Sequence, residues 1–399
     1  MQYRPVTEEE MLELMELQAR SFFFTYDKKK YAEELHRSGE WKNGRAAFDK
    51  GGRLTAGLNL IPYDAWLDGA VVGMGGIGGV ASSPEGRHSG TVRALMSQVM
   101  SEMYERGDTL SFLFPFSWSY YRKFGYEVSM RLKRVKALLD PLRAYRQPGH
   151  AERFVPGENG TDPGPIIEVY NDFAAQYNLA VDRQGWAWRE RLEHDPVLTR
   201  RHAYVWYHED GKPGAYVLFK SHPEGSNPEE MRVLEAAWRS REAFLGLLGF
   251  LGSFSSNLKH VVWELPDGLE PELFWKEHQD LKTDIEYCGM TRIVNAQRAL
   301  KLMRKPEGRG SVRVLVKDDF LPQNTGVYKI DWENGEGGAK KVRAATADIE
   351  CSVHALAQMV TGFLPLSSIL MRSDVELHTK ADELERLFIR KNIYMADRF

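Results

Sequence analysis

Cysteine and metal-binding patterns are nearly absent from this sequence. The 399 residues include two cysteines, Cys288 and Cys351, which lie far apart and form no CxxC or Cys/His cluster. This spacing excludes a disulfide framework, and the 11 histidines show none of the spacings of a zinc site. We therefore expect no metal cofactor, and we expect both cysteines to be small buried side chains.

Long apolar runs and an excess of one charge are also missing. The most apolar stretch, residues 244–254, is about half of the ~20 residues that a membrane span needs. The N-terminus has neither the basic nor the apolar region of a secretory signal. Lys+Arg 53 against Asp+Glu 56 leaves a net charge of −3, which provides no positive field for nucleic acid or anionic lipid. We expect a cytoplasmic protein whose partners include neither nucleic acid nor membrane.

Apolar and aromatic residues, in contrast, are plentiful. Hydrophobic residues make up 43% of the chain and include 10 Trp, 17 Tyr and 19 Phe, enough for the cores of several domains. Residues 147–165 and 304–310 are rich in proline and glycine, as junctions between domains usually are. We predict three domains, residues 1–148, 149–289 and 290–399, and an α+β fold class with mixed helices and strands.

The first two predicted domains share a hairpin-then-helix plan. In the first, Asp68-Gly69 forms a tight turn that leads into a glycine-rich strand. In the second, Asp210-Gly211 takes the place of that turn, and an apolar helix over 244–254 follows. This faint repeat favours two copies of one α+β unit. For the third domain we predict strands over 312–316 and 326–332, a turn at Asn334-Gly335, a return strand over 341–346, and helices over 352–361 and 381–389.

Two helices of the first domain can be predicted together with their ends. One covers residues 8–23, with Thr7 as N-cap and Glu10 completing a capping box. The other ends at Gly107 and carries a single apolar stripe. The stripe consists of Val92, Leu95, Met96, Val99, Met100 and Met103.

The start of this second helix has the features of an anion site. Its first turn, from about Ser89 to Val92, presents unpaired backbone N–H groups at the positive end of the helix dipole. Gly90 lets a ligand approach the backbone, and Arg87 and His88 could add a charge or a hydrogen bond to a pyrophosphate. The alternative is that Gly90 only relieves crowding in a turn and that Arg87 is a solvated surface residue.

The same residues resemble the acetyl-CoA motif of the GNAT acetyltransferase superfamily. That motif, Arg/Gln-x-x-Gly-x-Gly/Ala, is read here as Arg87-His-Ser-Gly90-Thr-Val92, and Val92 departs from the small residue at its last position. A buried strand is predicted next, over residues 108–116.

A tyrosine motif follows that strand. The sequence from Tyr121 to Gly125-Tyr126 is similar to the Tyr-x-x-x-Gly-Phe/Tyr signature of GNAT enzymes. In those enzymes the tyrosine hydroxyl serves as general acid toward the departing thiolate. The resemblance makes Tyr121 the candidate acid, with Tyr120 and Tyr126 as alternatives; the competing interpretation is that all three are core aromatics.

The resemblance extends over the whole chain. A GNAT fold, a second degenerate GNAT fold, a C-terminal α+β domain like sterol carrier protein and a terminal phenylalanine together resemble the Eis family of N-acetyltransferases. A residue larger than glycine is usual in that family at the position of Val92. The family likeness implies that the carboxylate of Phe399 takes the proton from the acceptor amine, and it implies a homohexamer. The second GNAT unit has no phosphate-cradling glycine before its helix at Phe244, so we expect it not to bind acetyl-CoA.

Two further groups of site residues follow from the resemblance. The expected acetyl-CoA-binding residues are Gly79, Val80, Ala81, Ser82, Arg87, His88, Ser89, Gly90, Thr91, Val92, Phe116 and Ser117. A cationic acceptor needs acidic and aromatic side chains. The substrate-binding candidates are Phe24, Tyr26, Asp27, Glu33, Trp41 and Asp397. A solvated helix face explains Glu33 equally well.

The leading functional hypothesis is an acetyl-CoA-dependent N-acetyltransferase. Its acceptors would be primary amines of aminoglycoside, polyamine or lysine type, attacking the thioester directly without a covalent enzyme intermediate. Two alternatives stay open at this point. One is a non-catalytic protein that binds CoA or a lipid. The other is an acyltransferase that uses a longer acyl donor, for which the glycine-rich strand would leave room, although tight backbone packing explains such a strand equally well.

Overall fold

The computed structural model describes residues 1–86, 90–157, 160–192, 196–221 and 229–399. The chain divides into two compact units. The first unit consists of Met1–Ser129, Gly289–Lys391 and Arg398–Phe399, and the second consists of Met130–Cys288 and Asn392–Asp397. The predicted three-domain division at residues 148 and 289 stays a prediction.

The N-terminal part of the first unit is a twisted sheet with helices packed on it. Its elements are β1 (Gln2–Pro5), α1 (Glu8–Phe22), α2 (Lys28–Ser38), β2 (Gly44–Phe48), β3 (Leu54–Leu67), β4 (Ala70–Ser82), α3 (Thr91–Arg106), β5 (Leu110–Leu113) and α4 (Trp118–Arg122). The strands from β1 to β4 pair antiparallel in chain order, and β5 adds parallel to β4. Residues 290–293 complete this sheet antiparallel to β5.

Local sequence signals account for these element ends. The predicted capping box of α1 is present, because Thr7 accepts from the Glu10 backbone N–H and Glu10 accepts from the Thr7 backbone N–H. Asp68 and Gly69 both have positive φ, as a two-residue turn between antiparallel strands requires. Gly107 ends α3 in the left-handed conformation, as predicted.

The second unit repeats the same plan. Its elements are β6 (Glu127–Leu138, shared with the first unit), β7 (His150–Phe154), α5 (Gly164–Ala174), β8 (Val181–Asp182), α6 (Gly185–Leu192), α7 (Pro196–Thr199), β9 (Arg201–Tyr207), β10 (Pro213–Ser221), β11 (Glu230–Trp238), α8 (Arg241–Gly252), β12 (His260–Pro266) and β13 (Leu281–Ile293, also shared). Here β9, β10 and β11 are antiparallel, β12 adds parallel to β11, and β6 completes the sheet antiparallel to β12.

Each sheet is completed by a strand from the other half of the sequence repeat. The strand after β5 in the chain is β6, yet residues 132–138 of β6 pair with β12. The strand after β12 is β13, and its residues 290–293 pair with β5. The repeat predicted from the two hairpins is therefore confirmed, and its closing strands are exchanged.

The C-terminal region belongs to the first unit. Its elements are α9 (Ala296–Leu302), β14 (Arg309–Lys317), β15 (Gly326–Glu333), β16 (Glu336–Val342), β17 (Ile349–Ser352), α10 (Val353–Thr361), α11 (Leu366–Ile369), β18 (Val375–Leu377) and α12 (Ala381–Leu387). The sheet order is β16-β15-β14-β17-β18. The return strand predicted over 341–346 is corrected to Glu336–Val342, because Asn334 and Gly335, both with positive φ, turn the chain directly back along β15.

Two expectations about single features can be compared with the structure. Both cysteines are buried and free, as predicted. Among the described residues, no helix has the length and apolar character that crossing a membrane requires.

Candidate functional site

A bulge in β4 shapes the candidate site. Gly57 pairs with Ala81 and Asn59 pairs with Gly78, so β4 carries one residue more than β3 across this step. Gly79 lies in the bulge with φ +59, where a residue without Cβ is favoured. The Gln18 side-chain amide of α1 donates to the Gly79 carbonyl at 2.8 Å and holds the bulge in place.

Next to the bulge, β4 and β5 separate. Their parallel pairing runs from Met74↔Leu110 to Gly76↔Phe112 and stops there. The edge of β4 beyond Gly76 therefore faces an opening rather than the backbone of β5. We expect alternate N–H and C=O groups of that edge to be available to an extended ligand.

The N-terminus of α3 lies on this opening. Gly90 is the N-cap, with φ +78 and no side-chain cap, and a Cβ built on it would meet no atom of the described residues within 4 Å. The helix start thus offers N–H groups and a positive dipole end to an approaching ligand. This geometry supports the functional interpretation of Gly90 over the interpretation that it only relieves crowding.

A cleft of about 700 Å³ joins these features, a size typical of ligand sites. Its lining is Ser21, Phe22, Val80, Ala81, Ser82, Gly90, Thr91, Val92, Arg93, Phe116, Tyr120, Lys123 and Phe124. The structure therefore brings together most of the predicted acetyl-CoA residues. Arg87, His88 and Ser89 lie outside the described residues.

Two of the predicted cofactor residues, Phe116 and Ser117, lie after the end of β5 rather than in a strand. Phe116 lines the cleft, but it does not belong to a buried strand as predicted, because β5 ends at Leu113 and the Phe116 side chain is 67% exposed. Ser117 is the N-cap of α4, and its hydroxyl accepts from the Tyr120 backbone N–H at 3.4 Å. That cap fixes the direction in which the following tyrosines project.

The three candidate tyrosines differ in their surroundings. Tyr126 is fully buried, and its hydroxyl is 2.6 Å from the Ser111 hydroxyl, which also donates to the Gly75 carbonyl. Tyr120 lines the cleft. Tyr121 is 4% exposed and is held edge-on between the rings of Phe116, Tyr120 and Tyr126. Burial raises the pKa of Tyr121 well above its usual value near 10, so the hydroxyl stays protonated at neutral pH.

The C-terminal residue lies on β4 beside the opening. The Phe399 ring is 4.9 Å from the ring of Tyr63 and 5.6 Å from that of Phe114. A Cβ on Gly76 would be 2.8 Å from this ring, and a Cβ on Gly78 would be 3.5 Å from the Phe399 carboxylate carbon. The absence of side chains at these glycines therefore admits the last residue of the chain.

The predicted acceptor residues of the first unit do not form one cluster. Asp27 is the N-cap of α2 and accepts from the Lys29 and Lys30 backbone N–H groups. Trp41 packs on a small core around Met11 and Leu35.

The remaining three acceptor candidates are less enclosed. Phe24 and Glu33 are exposed, and the Tyr26 ring is edge-on to Tyr31 at 5.6 Å. These positions give Asp27 and Trp41 structural roles, and they leave Phe24, Tyr26 and Glu33 as surface groups of the α1–α2 region.

Asp397 lies in the second unit, within a buried ion-pair network. The Arg183 Nε donates to Asp397 Oδ1 at 2.9 Å, and Arg183 Nη1 donates to Glu235 Oε1 at 2.9 Å. Arg191 lies 3.4 Å from both carboxylates, and the Tyr216 hydroxyl donates to Glu235. Burial by itself would raise the pKa of Glu235, but the charges of Arg183 and Arg191 outweigh it and hold that pKa well below its usual range. Asp397 thus anchors the chain two residues before its end.

We expect Asp397→Asn to destabilise the protein by about 3 kcal/mol, because it leaves two buried guanidinium groups facing a single carboxylate. Denaturant unfolding followed by tryptophan fluorescence measures the change. Asp319→Asn, at an exposed position, is the matched control and should change the free energy of unfolding by less than about 0.5 kcal/mol. Equal effects of the two variants would show that the Asp397 network adds nothing to stability.

The opening of the second unit is closed by aromatic side chains. The pairing of β11 with β12 ends at Arg232↔Val262, and beyond it Trp238 lies 4.4 Å from Phe244 and 6.3 Å from Trp263. The start of α8 is capped by the Ser240 side chain, unlike the start of α3. These contacts support the expectation that the second unit does not bind acetyl-CoA.

Sequence reasoning missed several residues of the site. Gln18 holds the bulge, Lys123 lines the cleft, and Tyr63 and Phe114 flank Phe399. Only Gln18 carries a readable signal, since it is a polar residue on the buried face of α1, four positions after Leu14. The others depend on pairing between distant segments.

Comparison with domain families identifies three regions. Residues 2–129 and residues 179–293 each match a model of the acetyltransferase (GNAT) domain. Residues 296–396 match a model of the sterol carrier protein domain. A sequence search of curated proteins gives no significant match.

Solved structures with the same fold cover the whole chain. They include a GCN5-related N-acetyltransferase from Anabaena variabilis, 22% identical, with TM-score 0.87 and 100% of both chains covered. A conserved protein of unknown function from Enterococcus faecalis, described as a probable N-acyltransferase, is 22% identical, with TM-score 0.86 and coverage of 100% of this chain and 99% of that one. Eis1 from Mycobacterium abscessus is 18% identical, with TM-score 0.80 and 100% of both chains covered. At these identities the likeness shows that the fold is shared.

Proposed function

Because this chain is an acyltransferase built from two GNAT domains and a sterol carrier protein domain, we propose that it transfers acetyl from acetyl-CoA to a primary amine. The acceptors would be of aminoglycoside, polyamine or lysine type. The observation that carries the proposal is the meeting of three features in the first unit: an uncapped helix start at Gly90, an opened edge of β4 and the terminal carboxylate beside Gly78.

The cleft fits acetyl-CoA in its shape and its polarity. The helix start and the side chains of Arg93 and Lys123 offer positive charge for the pyrophosphate and 3′-phosphate groups. The edge of β4 from Val80 to Ser82 offers backbone groups for the pantetheine arm. Acetyl-CoA supplies a thioester carbonyl whose C–S bond is exchanged for a C–N bond.

The residues of the chain would move two protons. The Phe399 carboxylate takes a proton from the acceptor ammonium before attack, because a charged ammonium is not a nucleophile, and later releases it to solvent. The Tyr121 hydroxyl donates a proton to the sulfur as the thiolate leaves, and the proton that the nitrogen loses on becoming an amide replaces it. Backbone N–H groups of β4 at the bulge would stabilise negative charge on the carbonyl oxygen. The attack is direct, so no acyl group is carried on the enzyme.

The glycine-rich strand does not leave free space for a long acyl chain. A Cβ on Gly75 would meet Met103 and one on Gly76 would meet Phe399. Gly78 faces the Phe399 carboxylate carbon, and Gly79 faces Gln18. Since these glycines accommodate neighbouring side chains, we favour an acetyl donor over a longer one.

The test is release of free CoA thiol from acetyl-CoA over a panel of amines, with untagged protein. Turnover with aminoglycosides, polyamines or lysine-type amines, and a mass increase of one acetyl group on the acceptor, supports the proposal. Binding of acetyl-CoA without turnover on any amine would indicate a non-catalytic binding protein.

The family likeness further leads us to propose a cytoplasmic homohexamer. Sedimentation of the untagged protein measures its oligomeric state and tests the hexamer.

Gly90 offers a matched pair of variants for the cofactor site. Asn and Asp both tolerate positive φ, and Asp at a helix N-cap stabilises the helix. We expect Gly90→Asp to raise the KM for acetyl-CoA about tenfold more than Gly90→Asn does, because its carboxylate repels the pyrophosphate. Steady-state kinetics with varied acetyl-CoA measures the difference. An equal KM in the two variants would remove the helix start from the cofactor site.

A further inference from the structure

The side chain of the terminal residue has a position that its proposed role as a base does not explain. Only the carboxylate of Phe399 is needed to accept a proton, yet the half-buried ring packs against other rings beside β4. It lies 4.9 Å from Tyr63, 5.6 Å from Phe114 and 6.3 Å from Phe112. The Arg398 guanidinium lies over the ring of Phe114, 5.3 Å from its centroid.

The ring lies on the sheet face at the inner end of the opening between β4 and β5. Gly76 is the last residue of β4 that pairs with β5, and a Cβ on Gly76 would point into the ring. The carboxylate carbon lies over Gly78 on the same face, two residues nearer to the open end. Two residues of a strand span about 6.6 Å, so the ring and the carboxylate together cover about that length of β4.

This arrangement bears on the acyl group of the donor. In the proposed function the pantetheine arm lies along Val80–Ser82 and the thioester carbonyl lies at the bulge, so an acyl chain that continues along β4 toward Gly76 passes beside the carboxylate and meets the ring. An acetyl group ends before the ring, and a longer chain needs the space that the ring occupies. The remaining walls, Tyr63, Phe112 and Phe114, are apolar and would suit an alkyl chain.

We propose that the Phe399 ring is the specificity-determining group that limits the acyl donor to short chains. The inference rests on the proposed function, because it assumes that an acyl-CoA binds along β4. One residue then has two separable roles: its backbone carboxylate is placed to accept a proton, and its side chain closes the acyl pocket. Removing the ring while keeping the carboxylate would open a pocket for about six additional carbon atoms, the number in the ring.

The test uses Phe399→Leu and Phe399→Ala, which keep the terminal carboxylate and shorten the side chain in two steps. We expect the ratio of kcat/KM for hexanoyl-CoA to that for acetyl-CoA to rise about tenfold or more in Phe399→Ala, with Phe399→Leu between it and the wild type. Met371→Ala shortens a side chain that is 87% exposed and does not line the cleft, and it should leave the ratio unchanged. An unchanged ratio in a folded Phe399→Ala protein, or a wild type that uses hexanoyl-CoA as well as acetyl-CoA, overturns the inference.

A binding measurement separates this inference from the proposed function. The thioether analogues S-ethyl-CoA and S-hexyl-CoA cannot transfer a group, so calorimetry with them is independent of catalysis. We expect the wild type to bind S-ethyl-CoA more tightly and Phe399→Ala to reverse that order. If the wild type binds neither analogue, the proposed function fails. If it binds both and Phe399→Ala leaves their relative affinity unchanged, only the acyl-length inference fails.

Discussion

Replacing Tyr121 by Phe is expected to lower kcat for acetyl transfer by about 10²- to 10⁴-fold, the usual contribution of a general acid. The ring of Phe fills the same space between Phe116, Tyr120 and Tyr126, so the substitution removes the hydroxyl and little else. The affinity for acetyl-CoA should stay within about twofold, because the ring and its packing are retained and only one hydroxyl is lost. Steady-state kinetics together with calorimetric titration of CoA separates these two effects.

Tyr120→Phe is the comparison variant for this prediction. A larger loss of kcat in Tyr120→Phe than in Tyr121→Phe would transfer the role of acid to Tyr120.

The pH profile of the wild-type rate provides a second criterion. Because burial raises the pKa of Tyr121 above its usual value, the acid stays protonated, and the wild-type rate should show no fall due to this tyrosine below pH 10. A fall centred near pH 8 would contradict the assignment.

The parts of the site that are local in sequence could be predicted. The start of α3 at Gly90 follows from the apolar stripe of that helix, and the structure buries the stripe from Leu95 to Met103, while Val92 lines the cleft. The tyrosines from Tyr120 to Tyr126 were singled out by resemblance to a motif, and the short helix capped by Ser117 that holds Tyr120 and Tyr121 was not predicted. Phe116 shows the limit, because its apolar neighbours indicated a buried strand while the strand ends three residues earlier.

The parts that depend on pairing between distant segments could not be predicted. The hairpins at Asp68-Gly69 and Asp210-Gly211 revealed the repeat, but nothing in β6 or β13 shows which sheet each strand closes. Asp397 was expected to bind substrate because it lies near the terminus. Its partner Arg183 is 214 positions away, and a buried ion pair at that separation leaves no periodic signal.

The C-terminal position of Phe399 could be recognised only by resemblance. A chain end is usually frayed and carries no packing signal of its own. In the structure the end is held on β4 because Gly76 and Gly78 leave room for it. Small residues at alternate positions of a strand therefore marked a docking surface for another part of the chain, whereas the sequence left open both space for a longer acyl chain and tight backbone packing.

Blocking the terminal carboxylate is expected to lower kcat by about 10²- to 10⁴-fold, since the group is the proposed base. Semisynthesis of the chain with a C-terminal carboxamide removes the charge and retains the Phe399 ring against Tyr63 and Phe114. Affinity for S-ethyl-CoA should therefore be unchanged. A short tag appended after Phe399 should have the same effect on kcat, while the same tag at Met1 serves as the control.

The pH dependence of the blocked protein identifies what the carboxylate does. Without a base, transfer depends on the fraction of amine that is already neutral, and for an acceptor with a pKa near 10 that fraction rises about tenfold per pH unit. The rate of the carboxamide protein should therefore rise steeply from pH 7 to pH 9 and approach that of the wild type. A uniform loss at every pH would mean that the carboxylate only positions the chain end, because a positioning defect is not repaired by deprotonating the substrate.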